Sequence, residues 1–197
     1  SLWSCSVNTD MALKKVLDPK KVVITYSGRI ENLKGEEQLA KAFLQISKKY
    51  NNVYLNFVGT GSFLKILKKD YAHERIKFWG QQEIASINKI NNNSDIAVCA
   101  TTFPDGAVPN AVLEAGSQKC AMVCSPNGGF LEIIKDGKNG ILTDSEVSVH
   151  SMALSLKKLI DNPKYRNELS EEIFKDISEK YSIKVVSDRI LKDLDLK

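Results

Sequence analysis

Short apolar runs recur along the chain: VVITYSG at 22–28, VYLNFVG at 53–59, RIKFWG at 75–80, DIAVCATT at 95–102, AMVCSP at 121–126 and GILT at 140–143. A strand with one wet face alternates apolar and polar positions. Several of these runs do not alternate, so they predict parallel strands covered on both faces. Between them, apolar positions return at helical spacing, most clearly in EEQLAKAFLQISKKY, where Leu39, Ala42, Phe43 and Ile46 form one stripe with lysines opposite. Helices are also predicted over 61–72, 83–92, 110–119 and 129–136. Strand followed by helix, repeated about six times, predicts an α/β fold: a doubly wound parallel sheet with helices on both faces, Rossmann-like, because right-handed crossovers leave few alternatives. Such sheets bind ligands beyond the carboxyl ends of their strands, which singles out the loops that follow each run.

After residue 145 the pattern is helical only, in EVSVHSMALSLKKLIDN, PKYRNELSEEIFKDISEKY and SIKVVSDRILKDLDLK. Ile183, Val186, Ile190 and Leu194 make an apolar stripe in the last of these, which must pack on its own domain or on another part of a longer protein. Three regions are expected: 1–20 as a linker or truncated start, 21–181 as the main domain, and 182–197 as a closing helix.

Composition narrows the classes. A chain of 197 residues that is 43% hydrophobic can bury a full core. Its net charge of +4 comes from dispersed Lys and Arg, and no basic run alternates with aromatics, so nucleic acid is not an expected partner. Cys5, Cys99, Cys120 and Cys124 include only one near pair, with no histidine beside it, and read as small hydrophobes in a reducing compartment rather than as metal ligands. The expected address is the cytoplasm. No stretch of about 18 apolar residues occurs, and the opening SLWSCSVNTD has neither the basic start nor the apolar block of a signal peptide.

The loops after the strands hold the candidate chemistry. The first ends in SGRIENLKGEE, where Gly28 and Arg29 stand at the strand tip and Lys34 precedes Gly35 at a helix start. Arg as a fork, Lys as a point charge and the helix N–H groups can converge on one anion; two solvated side chains are the plainer alternative. The second strand ends in VGTGS, but Leu64 stands where a dinucleotide fingerprint needs its third glycine, which disfavours a nicotinamide enzyme. No phosphate-binding P-loop occurs.

The fourth strand leads into FPDGAVPNAVLEAG, which places a carboxylate, Glu114, about one turn inside an otherwise apolar helix with Asn110 as its expected cap. The carboxylate either points to water or accepts two hydroxyl protons from a ligand, as a ribose would offer them. The fifth strand opens onto SPNGGFLEII, another turn ahead of a helix. Asp193 to Asp195 read as a solvated helix end rather than a metal motif, and His73 and His150 as exposed helical positions.

In this order, GRIENLKG, VGTGS, FWGQQ, SDIAVCATT, DGAVPNAVLEAG, PNGGFLEIIKDGKNGIL and the closing helices resemble the carboxyl-terminal half of retaining glycosyltransferases of family four (glycosyl transferases group 1), of GT-B type. The resemblance runs from about residue 20 to residue 185. It implies a domain that binds a nucleoside diphosphate sugar, UDP-linked or otherwise, and takes part in moving a hexosyl unit to a polysaccharide or glycolipid acceptor. By the same resemblance Arg29 and Lys34 stabilise the leaving diphosphate, Glu114 holds the ribose hydroxyls, and the turn at Trp79 and Gly80 meets the base. Gly28, Gly59, Gly106 and Asn110 complete the donor loops, and Asp105 replaces the family's first glutamate, which contacts the sugar.

The chain departs from the family at this last point. The usual spacing is glutamate, seven residues, glutamate; here eight residues separate Asp105 from Glu114, with Gly106 at the expected position. No metal or cofactor is expected, and the sequence nominates no enzymic nucleophile. The partners implied are the donor, the acceptor and an amino-terminal domain onto which the closing helix packs, with contact at the inner face of a membrane through the full-length protein. A sugar-nucleotide epimerase of the same architecture and a non-catalytic nucleotide-binding or interaction module are the alternatives.

Overall fold

The computed structural model describes residues 6–9, 15, 17–101 and 108–193. Six strands, β1 (Val22–Ser27), β2 (Val53–Val58), β3 (Ile76–Gly80), β4 (Ile96–Cys99), β5 (Ala121–Cys124) and β6 (Ile141–Leu142), form one parallel sheet in the order β3-β2-β1-β4-β5-β6. The helices are α1 (Glu36–Ser47), α2 (Leu64–Asp70), α3 (Ile84–Asn92), α4 (Asn110–Ser117), α5 (Phe130–Ile133), α6 (Val149–Asp161), α7 (Pro163–Lys180) and α8 (Ile183–Asp193). The doubly wound Rossmann-like sheet expected from the apolar runs is present.

Two cores explain why those runs do not alternate. On one face Ile24, Leu55, Val98 and Val123 pack with Leu39 and Phe43 of α1 and with Met152 and Leu156 of α6. On the other Ala97, Cys99, Met122 and Cys124 pack with Val112 and Leu113 of α4 and with Ile173 and Ile177 of α7. Odd and even strand positions are thus both apolar because each has a helix layer of its own. Cys99 and Cys124 are register partners on neighbouring strands, and Cys99, Cys120 and Cys124 are all free and buried; Cys5 lies outside the described residues.

Several elements differ from the sequence reading. The helix expected over 129–136 is the single turn Phe130–Ile133, because the buried Asn139 side chain accepts from Lys135 N–H and donates to the Ile133 carbonyl, closing the chain into a turn. The cap of α4 is Pro109, in an extended conformation, and Asn110 is the first helical residue rather than the cap. Proline's fixed φ suits the residue entering a helix, so Asn110 stays available to the space above the sheet. His73 lies beyond the end of α2, half-buried, its ring edge-on to Phe43 and its Nδ1 accepting from Arg75 N–H. Among the described residues, no helix is long and apolar enough to cross a membrane.

The strand order fixes where a ligand can sit. The chain winds outward from β1 through β2 to β3, then returns to start β4 on the other side of β1. The connections after β1 and β4 therefore lead to opposite sides, which sets a crevice between the two strands at the carboxyl edge of the sheet.

Candidate functional site

The crevice is held open by close backbone contact on its β2 side. Beyond the strands, pairing continues: Gly28 N–H donates to the Val58 carbonyl at 3.0 Å, Ile30 N–H to Thr60 at 2.9 Å, and Phe63 N–H to Ile30 at 3.2 Å. A Cβ on Gly59 would stand 1.9 Å from the Gly28 oxygen, and one on Gly61 would stand 2.1 Å from the Ile30 oxygen. The two glycines of VGTGS thus let the β2 loop press against the β1 loop. That is their structural work, and it explains why a failed dinucleotide fingerprint appears at the end of β2.

Above this floor lies a cavity of about 370 Å³. Gly28 and Arg29 line it from β1, Gly59 and Thr60 from β2, Gln81 and Gln82 from the β3 turn, and Asn110, Ala111 and Glu114 from α4. A smaller hollow of about 100 Å³ continues it, lined by Tyr26, Lys34, Thr101 and Phe130 and sharing Gly28, Arg29 and Ala111 with the larger. The exposed Arg29 thus joins the two hollows, with Glu114 in one and Lys34 in the other. Loops about 85 residues apart in sequence bring two cations and one acid to the same crevice.

Glu114 is half-buried, and no hydrogen bond or ion pair to its carboxyl is found among the described residues. Burial alone holds its proton affinity above the ordinary value of a glutamate. The other buried acids have partners. Asp95 accepts from Val23 N–H at 2.8 Å and pairs with Arg166 at 3.2 Å. Glu36, 1% exposed, accepts from Glu31 N–H, Lys34 N–H and the Tyr26 hydroxyl. A half-buried acid that faces a cavity without a donor among the described residues costs stability and serves no packing purpose, which makes Glu114 a candidate ligand group.

Of the residues read from the sequence, the structure brings Gly28, Arg29, Gly59, Asn110 and Glu114 to one cavity and Lys34 to its extension. Trp79 and Gly80 do not line either hollow. The Trp79 indole N–H donates to Asn56 Oδ1 at 3.0 Å, Lys77 Nζ lies 3.3 Å from its ring centroid, and the ring borders a separate hollow of about 250 Å³. The Gly80 carbonyl accepts from Gly59 N–H at 2.8 Å. Asp105 and Gly106 lie outside the described residues. Cys99 borders the smaller hollow, but burial pushes its thiol up to about 12, so it is neutral at ordinary pH and a poor nucleophile. Among the described residues, no group of three or more His, Cys, Asp or Glu side chains could hold a metal ion.

A sequence profile for the family described as Glycosyl transferases group 1 matches residues 9–176. The chain belongs to that family. Its relatives include an uncharacterised glycosyltransferase of Methanocaldococcus jannaschii, 29% identical over 183 residues that cover 91% of this chain and 46% of the relative. The chain spans about half the length of the curated relatives it matches. Among solved structures, the C-terminal domain of a glycosyl transferase group 1 family protein (LpcC) from Francisella tularensis is 27% identical with a TM-score of 0.73, covering 84% of this chain and 88% of that domain. HepE of Anabaena in complex with UDP-glucose shares the fold at a TM-score of 0.77 and 19% identity, over 89% of this chain and 49% of HepE.

In this group 1 glycosyltransferase domain, sequence reading missed Thr60, Gln81 and Gln82 on the larger cavity and Glu36 and Tyr26 behind the smaller one. A signal existed for the glutamines: they directly follow the tip of β3, where residues leave the sheet toward the crevice. None existed for Glu36, which reads as an ordinary acid in the first turn of α1.

Proposed function

We propose that this chain is the donor half of a hexosyltransferase: it binds a nucleoside diphosphate sugar, with UDP as the first candidate nucleotide, across the crevice between β1 and α4. The observation that carries the reading is the placement of Arg29, Lys34 and a half-buried Glu114, without a partner among the described residues, on one continuous pair of hollows. The HepE structures, which hold UDP and UDP-glucose on the same fold, supply the support for uridine. Glu114 accepts from the ribose hydroxyls, Gln81 and Gln82 flank the base, and Arg29 and Lys34 take the diphosphate. Asp105, on the loop between β4 and α4, contacts the sugar.

The chemistry follows from that placement. When the bond from the anomeric carbon to the terminal phosphate oxygen breaks, negative charge collects on the departing diphosphate. A guanidinium fork and an ammonium meeting the diphosphate stabilise the developing charge more than they stabilise the bound donor, which lowers the barrier. No metal or other cofactor forms part of this proposal. The acceptor, a polysaccharide or glycolipid, is held by a part of the protein outside this chain, and transfer proceeds with retention. The reading sets the chain in the cytoplasm, in keeping with the three buried free thiols.

Isothermal titration of the chain with UDP, GDP, ADP and uridine tests the reading. One or more diphosphates should bind, with Arg29→Ala and Lys34→Ala each weakening the diphosphate about tenfold or more while leaving uridine little changed, as expected for charge-assisted contacts worth ~1.5–3 kcal/mol. Affinity for the diphosphate should fall with added salt, less steeply in each variant. No binding of any nucleotide at millimolar concentration by the folded chain would reject the donor site.

A further inference from the structure

Arg29 and Lys34 do not sit on regular structure. Both lie on the loop between β1 and α1, and a flexible loop would hold its charges too loosely to grip a diphosphate in one geometry. On the β2 side the loop is secured by backbone pairing, and on the β4 side the Thr101 hydroxyl donates to the Leu33 carbonyl at 3.3 Å. Its inner side rests on one carboxyl group. Glu36 Oε1 accepts from Glu31 N–H at 2.6 Å and from the Tyr26 hydroxyl at 3.1 Å, and Oε2 accepts from Lys34 N–H at 3.0 Å. The Tyr26 hydroxyl also lies 2.8 Å from the Arg29 carbonyl oxygen. The Glu31 and Lys34 amides donate to the carboxyl, the single Tyr26 hydroxyl proton is shared between Glu36 Oε1 and the Arg29 carbonyl, and together these groups span the loop from the end of β1 to the start of α1.

We infer that Glu36 is a positioning residue for the diphosphate subsite: its buried carboxyl, working with Tyr26, locks the loop that presents Arg29 and Lys34, and thereby sets the affinity for the donor's diphosphate. The inference rests on the donor-site reading above. The arrangement is not what a diphosphate site would use to attract an anion, because it puts an acid at the amino end of α1, where it shares the Lys34 N–H with the Glu31 carbonyl. Two effects of opposite sign therefore compete in Glu36. Its charge repels the diphosphate, and its hydrogen bonds order the two cations that bind it. Repulsion acts on the ligand from behind the loop, whereas the hydrogen bonds of Glu36 fix the backbone that carries both cations, so ordering wins.

The sign of the competition is the test. UDP and uridine affinities are measured by calorimetry for the unsubstituted chain, Glu36→Gln, Glu36→Ala and Tyr26→Phe, alongside hydrogen exchange at the Glu31 and Lys34 amides. Glu36→Ala is expected to weaken UDP at least tenfold, leave uridine within twofold, and speed exchange at both amides. Glu36→Gln, which keeps an oxygen for Glu31 N–H and Tyr26 but sets an NH₂ group against Lys34 N–H, should fall between Glu and Ala. Tyr26→Phe keeps the fold if Glu36→Ala does not, and should lower UDP affinity in the same selective way.

Equal or tighter UDP binding by folded Glu36→Ala would show that repulsion dominates and would overturn the inference. So would a parallel loss of UDP and uridine, which marks general damage rather than a diphosphate-specific effect. If the unsubstituted chain binds no UDP, the donor reading fails and the affinity role of Glu36 falls with it. Exchange at Glu31 and Lys34 still decides, independently of ligand, whether the carboxyl braces the loop; unchanged exchange in Glu36→Ala would remove the brace.

Discussion

Gly59→Ala is expected to cost the chain about 3–5 kcal/mol of stability and to remove donor binding, although it adds one methyl group at a half-exposed site. The new Cβ would lie 1.9 Å from the Gly28 oxygen, a backbone atom that cannot rotate away, and Gly59 has a φ of +130°, which a side chain strains whatever space it has. Relief requires the β1 and β2 loops to part. That breaks the Gly28 N–H to Val58 and Gly59 N–H to Gly80 bonds and carries Arg29 away from α4. Gly80→Ala is the matching control. Its φ is +69°, but nothing lies within 4 Å of the added Cβ, so only the backbone term of about 1 kcal/mol applies. Urea unfolding and UDP titration of the two variants measure the difference, and equal losses would show that the contact with Gly28 is not what Gly59 provides.

Glu114→Gln should move stability and binding in opposite directions. Binding should weaken by ~1–3 kcal/mol, because an amide oxygen accepts ribose hydroxyls less strongly than a carboxylate and the amide nitrogen cannot accept at all. Stability without ligand should rise, with a definite pH dependence. Burial raises the folded-state pKa of Glu114 above its ordinary value of 4.5, with no partner among the described residues to offset it. The folded state therefore holds that proton more tightly than the unfolded state. The stability associated with the protonated acid is fully present below the unfolded value and is lost as pH rises through the folded one. Glutamine does not titrate, so Glu114→Gln should melt close to the unsubstituted chain near about pH 4 and above it by about pH 8. A melting difference that stays flat over this range, or one that favours glutamate at high pH, would mean that Glu114 has a partner in the folded chain and is not held for a ligand.

The two substitutions separate two kinds of information. The glycines of VGTGS were visible as an incomplete dinucleotide fingerprint, but their reason was not, since the Gly28 and Ile30 carbonyls that exclude a side chain come from another loop. Glu114 stood out as a lone acid in an apolar helix, and it lines the cavity with no donor among the described residues. The family resemblance set the turn at Trp79 and Gly80 against the base, yet the Trp79 indole bonds Asn56, and Gln81 and Gln82, beyond the last paired residue, line the crevice. Asn110 was read as a cap from residue preference, whereas Pro109 enters the helix and frees it for the cavity wall. In each case composition told that a position was special, and its direction depended on neighbours distant in sequence.

The order of strands and helices, the double-sided burial of the sheet and the family to which the chain belongs were determined by the sequence by itself, because they rest on periodicities and spacings within single segments. Which loops meet was decided only in three dimensions. Glu36 looks like any acid in a first helical turn until the loop folds over it and three donors from residues 26 to 34 converge on its carboxyl. Local pattern reports what a residue prefers, but a buried charge takes its role from whichever groups the topology brings within hydrogen-bonding distance, and no window along the chain contains them.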